Sequence, residues 1–204
     1  MSIIDSIKKN MAPIHQEGYP FIGAFALVSL ILFWIWAPLG WIGCGLTVWC
    51  ALFFRDPVRV TPVREGIVVS PADGRVLRVA REVDDYWQTE MTEIAIFLAL
   101  QDVHVQRIPV TGEVVAQRRK AGGYKPAMTE AATHGNNQLA TYLETSVGPC
   151  TVTQISGLIA RRIVTWVAAG DRAGQGQRLG MIKFGSQVTL RLPVGTSEIG
   201  RAHV

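Results

Sequence analysis

The sequence predicts a mainly β protein, a compact barrel or sandwich of short strands with an N-terminal hydrophobic helical hairpin. Three observations carry that expectation. The apolar excess of this 204-residue chain is concentrated between Pro20 and Phe54. After Arg55 the pattern changes to brief β-branched runs. Those runs are separated by Gly, Pro, Asn and Asp at close spacing, which is the punctuation of short antiparallel strands. The chain is long enough for one well-buried domain plus an appendage, and too short for two full domains. We therefore expect an N-terminal segment over 1–18, a membrane-embedded hairpin over 19–54, a β-rich domain over 55–197 and a distinct tail over 198–204.

The hairpin comes first. Phe21 to Leu39 is almost wholly apolar and close to the roughly 20 residues that a spanning helix needs. Pro38 and Gly40 are expected to break it, and a second, glycine-rich apolar run continues from Trp41 to Phe54. Lys8 and Lys9 lie before the pair and Arg55, Arg59 and Arg64 after it, while the connection carries no charge. Basic residues favour the cytoplasmic side. Both outer ends are thus placed there, and the expected location is the cytoplasmic face of the cell membrane. Trp34, Trp36, Trp41 and Trp49 suit interfacial depth. A buried core helix is the alternative, and a secretory signal fits less well because no small-residue cleavage site follows.

In the remainder, Gly66–Ser70, Arg75–Val79, Ile94–Leu98, Gly112–Gln117, Gln138–Glu144, Cys150–Ile155 and Val188–Leu192 read as strands. The continuous apolar run Ile94–Leu98 suits a strand buried on both faces. Ile159 to Val167 is compatible with strand or helix. Ala121–Asn137, rich in Gly, Ala, Thr and Asn, reads as a long loop and so as a functional candidate.

Net charge is +4 and the isoelectric point is near 9.2. That balance fits an anionic membrane surface. Lys and Arg are not clustered with aromatics, so no nucleic-acid partner is expected. The three cysteines, Cys44, Cys50 and Cys150, show no metal-like pairing, and no metal site is expected.

Three places could carry chemistry. Ser186 in Lys183-Phe184-Gly185-Ser186-Gln187 follows a glycine-rich stretch with Gly174, Gly176 and Gly180 and precedes a strand. Asp73 lies in Ser70-Pro71-Ala72-Asp73-Gly74, where Asp-Gly is also an ordinary turn signal. His104 lies in Asp102-Val103-His104-Val105-Gln106-Arg107-Ile108-Pro109, and a lone histidine is ordinarily structural. From the residues alone a Ser/His/Asp hydrolase fits, although no Gly-x-Ser-x-Gly elbow surrounds Ser186. A non-catalytic, membrane-anchored β module with Gly185-Ser186 as a mere turn fits as well.

Taken together, these segments resemble the short bacterial and archaeal type of phosphatidylserine decarboxylase proenzyme. The resemblance runs from about Tyr19 to Thr196. Its marks are Phe53-Phe54-Arg55-Asp56-Pro57, Ser70–Gly74, Val103-His104-Val105, Gly157–Ile163 and Gly180-Met181-Ile182-Lys183-Phe184-Gly185-Ser186. It implies that the Ser186 hydroxyl attacks the Gly185 carbonyl and splits the chain between them. A β-chain to Gly185 and an α-chain from Ser186 would stay together as a heterodimer. Residue 186 would become a pyruvoyl group, the covalent cofactor, which forms a Schiff base with phosphatidylserine and yields phosphatidylethanolamine and CO2. Glycine before the serine leaves the attacked carbonyl unhindered. The resemblance gives His104, oriented by Asp73, as the base. It gives Tyr124, Pro126, Ala127, Asn136 and Asn137 as residues toward the substrate. The long form of the family has a second histidine three residues on, where this chain has Arg107.

The tail departs from the resemblance. Ile199-Gly200-Arg201-Ala202-His203-Val204 is what a common sequencing-library adapter gives on translation, so 198–204 is expected to be non-native.

Overall fold

The computed structural model describes residues 12–62, 66–158, 162–183 and 186–196, with the Glu130 side chain outside that description. The chain divides into two units, Met1–Val58 and Arg59–Val204.

The first unit is a helical hairpin. After a 3₁₀ turn at Gln16–Gly18, α1 spans Tyr19–Ile35 and α2 spans Ala37–Phe53. One extended residue, Trp36, separates them, and its N–H still bonds to the Leu32 carbonyl at 2.9 Å. The break therefore falls earlier than Pro38 and Gly40, which the sequence reading gave as the breakers. Pro38 sits in the first turn of α2, where its missing N–H would have been unpaired anyway. Gly40 and Gly43 let the helices close up. A Cβ on Gly40 would lie 2.2 Å from the Phe33 ring, and one on Gly43 would lie 2.6 Å from Ser29 Oγ. Ser29 and Thr47 bond across the helix pair at 3.2 Å. Ile14 bridges antiparallel to Arg55, so entry and exit lie at one end. The outer surface is apolar, with Leu30, Ile31, Trp34, Ile35, Trp41 and Ile42 all more than half exposed. A core helix would bury those groups. Gln16–Ile35 is long and apolar enough to cross a membrane.

The second unit is antiparallel β throughout its named strands. Their ranges are β1 Arg75–Asp84, β2 Thr89–Leu98, β3 Val105–Arg107, β4 Gly112–Lys120 and β5 Gln138–Thr145. They continue with β6 Gly148–Ile155, β7 Ile163–Thr165, β8 Arg172–Ala173, β9 Arg178–Ile182 and β10 Ser186–Pro193. A seven-stranded sheet runs β1-β2-β10-β6-β5-β4-β8, and a three-stranded sheet runs β3-β9-β7.

Alternation along the strands explains the layers. Val188, Leu190 and Leu192 of β10 join Val152 and Cys150 of β6, Leu139 and Leu143 of β5, and Leu179 and Ile182 of β9 in one core. Intervening residues of β10 face the other side, where Arg191 bonds the buried Glu93 at 2.8 Å and Asp84 at 3.3 Å.

Several expectations shift. The segment 66–70 forms no strand, and Val69 makes one backbone bond to Pro109 at 3.0 Å. Within 121–137 a short helix, α3 (Glu130–Gly135), interrupts the expected loop. Of the ambiguous run 159–167, residues 163–165 form β7, while 159–161 lie outside the described residues. The expected tail, 198–204, also lies outside them.

Candidate active site

Ser186 opens β10 and pairs with Leu98 of β2. It is fully buried, and its Oγ has no hydrogen-bond partner. Leaving a buried hydroxyl unpaired costs about 1–3 kcal/mol, so such a group calls for an explanation. Phe184 and Gly185 lie outside the described residues, and with them the expected scissile bond.

His104 immediately precedes β3 and is also fully buried. Its Nδ1 lies 2.8 Å from the carbonyl oxygen of Asp102. A carbonyl can only accept, so in the neutral ring Nδ1 carries the hydrogen and Nε2 keeps the lone pair. The turn that presents this carbonyl is itself fixed. Asp102 accepts the Ala99 N–H on Oδ2 at 2.8 Å, and its own N–H bonds the Ala99 carbonyl at 2.9 Å. The Ile182 N–H reaches the His104 carbonyl at 3.4 Å, tying His104 to the end of β9, four residues before Ser186.

Asp73 belongs to the bend before β1. Its Oδ2 pairs with Arg59 Nη2, and its side chain is about one-third exposed, at 33%. The bend is held between two strands. Arg107 N–H donates to the Pro71 carbonyl at 2.8 Å, and a Cβ on Gly74 would come within 2.2 Å of the Phe97 carbonyl oxygen. Gly74, with φ +153°, is thus the residue that lets the bend pass against β2 beside Leu98. The bend is therefore tied to the end of β3 through Arg107, and to the start of β10 through β2. Asp73 faces a small cleft lined also by Arg59, Ser70, Val103, Val105 and Arg107.

Asn136 and its neighbours hold a loop in shape. Asn136 is fully buried; its Oδ1 accepts the Lys125 N–H at 2.8 Å, and its Nδ2 donates to the carbonyls of Lys125 and Ser156 at 2.8 and 2.7 Å. Its amide is spent on backbone. Asn137 pairs through its backbone with Gly123 and Ser156. Ala127 is buried, whereas Tyr124 and Pro126 are exposed. Sequence reasoning missed the link from this loop to the serine. Thr133 of α3 bonds the buried Gln187, the residue after Ser186, at 2.9–3.1 Å. Nor did it single out Asp102, which acts through its carbonyl and so leaves no side-chain signal. Among the described residues no cluster of three or more metal-ligating side chains occurs.

Similarity to known proteins identifies the class. The chain is an enzyme, a decarboxylase of phospholipid metabolism made as a proenzyme. The family model for phosphatidylserine decarboxylase matches residues 46–202, and the chain belongs to that family. A phosphatidylserine decarboxylase proenzyme from Nitrobacter winogradskyi is 47% identical over 196 residues, covering 94% of this chain and 79% of the relative.

Proposed function

We propose that the chain cuts itself between Gly185 and Ser186, and that the mature enzyme decarboxylates phosphatidylserine to phosphatidylethanolamine at residue 186. The single observation that carries this reading is the buried, unpartnered Oγ of Ser186 at the start of a core strand. A buried hydroxyl without a hydrogen-bond partner is costly to retain, and a reaction that consumes it supplies the reason.

His104 is the base in this reading. Its Nε2 lone pair takes the Ser186 proton as Oγ attacks the Gly185 carbonyl, and the amide becomes an ester. Loss of the Ser186 α-proton then breaks the Cβ–O bond. The large fragment then ends in a Gly185 carboxylate, and the dehydroalanine left at residue 186 takes up water and loses ammonia. The fully buried position of Ser186 excludes bulk water, so the ester reaches elimination instead of simple hydrolysis. Asp73 supplies negative charge from the adjacent bend, steadied by Arg59. The position also fits the group that replaces the serine, since the hydroxyl lost in the conversion has no hydrogen-bond partner to give up. What the pyruvoyl group supplies is a carbonyl able to take up the electron pair released as CO2 departs. His104 then returns a proton to the substrate carbon.

The two fragments stay associated, because β10 is held between β2 and β6 of the large one. Tyr124 and Pro126 line the approach of the substrate. The hairpin's exposed apolar surface anchors the enzyme in the membrane with its basic flanks toward cytoplasmic anionic lipid. The test is purified full-length protein in mixed micelles containing phosphatidylserine. CO2 release that disappears in Ser186→Ala supports the reading. An unsplit chain labelled at Ser186 by a fluorophosphonate would replace it with a hydrolase.

A further inference from the structure

Among the described residues, three buried side-chain polar atoms have no hydrogen-bond partner: Ser186 Oγ, Ser156 Oγ and Gln154 Oε1. They are not scattered. Gln187 pairs with Ile155 and Val188 with Gln154 across β10 and β6. Continuing that register by one step sets Ser156 opposite Ser186, with Gln154 on the diagonal. Strand alternation points all three toward the face that carries Val152, Val188 and Leu190. Directly opposite neighbours on one face have Cβ atoms about 5 Å apart, and diagonal ones, about 7–8 Å apart, are within reach of a long side chain such as glutamine.

The direction of the Gln154 amide is forced. Gln106 Nε2 donates to the His104 carbonyl at 2.7 Å, and a carbonyl cannot donate, so the other end of Gln106 is its oxygen. That oxygen accepts from Gln154 Nε2 at 2.9 Å, and the same nitrogen lies 3.4 Å from the Val164 carbonyl. Gln154 Oε1 is therefore the free end, and it requires a donor. Gly180 makes room for the relay, since a Cβ there would stand 2.9 Å from Gln154 Nε2 and 2.2 Å from the Val164 oxygen. Neither serine hydroxyl bonds this oxygen. Among the described residues none supplies that donor.

We propose that Gln154 Oε1, with Ser156 Oγ beside it, receives the primary amine of the substrate and sets it against residue 186. An ammonium offers three N–H donors, enough for both oxygens. After losing one proton it presents a lone pair to the carbon of residue 186. Gln154 is a binding residue that selects a free amine, and Gln106 is the positioning residue that aims it. This rests on the function proposed above.

The experiment uses full-length protein in detergent micelles. Gln154→Met keeps the length and removes the acceptor; Ser156→Ala is the second variant, should Gln154→Met fail to fold. Both should split at a rate within about threefold of the parent, with KM for phosphatidylserine raised about tenfold or more. Independently of turnover, unsplit Ser186→Ala protein is titrated with short-chain phosphatidylserine and with its N-acetyl derivative. It should prefer the free amine about tenfold, and the added Gln154→Met or Ser156→Ala change should abolish that preference. Equal preference with and without the change would overturn the proposal and leave the corner as a site for bound water. So would scission lost in folded Gln154→Met, which would place Gln154 in maturation. A parent chain that neither splits nor releases CO2 would instead count against the underlying function.

Discussion

His104 Nδ1 stands 2.8 Å from the carbonyl oxygen of Asp102, so a backbone group fixes the tautomer of the buried imidazole. Nε2 is left as the proton acceptor. His104→Ala should slow scission by about 10²–10⁴-fold, the usual worth of a positioned general base. A time course of the split product on gels, after synthesis of the variant, reads this directly. Scission at the parent rate would remove His104 from the mechanism.

Asp73 is expected to matter less than His104. Its carboxylate is paired with Arg59, and the histidine's orientation rests on Asp102. Asp73→Asn removes charge with little change of shape, and should slow scission by about tenfold, well short of the His104→Ala loss. A loss as large as that of His104→Ala would mean that Asp73 engages the imidazole during the reaction.

Asn136 predicts a stability effect. Three hydrogen bonds tie it to Lys125 and Ser156, and truncation leaves the buried Ser156 carbonyl and the Lys125 backbone without these partners. In a Ser186→Ala background, Asn136→Ala should cost about 2–4 kcal/mol. Urea unfolding followed by tryptophan fluorescence measures it. A change under about 0.5 kcal/mol would show that the loop is held by other contacts.

Burial pushes the Cys150 thiol up to about 12 from an ordinary 9.0. The folded state thus binds the thiol proton more tightly than the unfolded chain does. The associated stability is complete below about pH 9 and is lost as pH rises toward 12. Cys150→Ala should flatten that alkaline decline, and the native thiol should resist iodoacetamide at pH 8 until the protein is unfolded.

Much of this was legible in the sequence, and the exceptions have physical causes. The hairpin showed because no charge interrupts it, and β2, β4, β5, β6 and β10 showed because long β-branched runs between turn residues have few other uses. β3, β7 and β8 span only two or three residues, too short for periodicity to register. β9 was hidden by Gly180, which read as part of a glycine-rich stretch but is the place where the Gln154 relay and the Val164 carbonyl crowd the backbone. Ser186, His104 and Asp73 stood out by residue type. Gln106 and Gln154 did not, because a glutamine in a strand looks like a solvent-facing position until its buried partner is known. Asn136 looked like a ligand group, and only its three backbone bonds reveal that its amide is occupied.

The central claim is the conversion of Ser186, and the mass of the purified chain tests it most directly. The account predicts a large fragment ending at Gly185 and a small one whose N-terminus is a ketone, gaining the mass of an added amine on treatment with cyanoborohydride. An intact chain, or a small fragment beginning with a free serine amine, would contradict it.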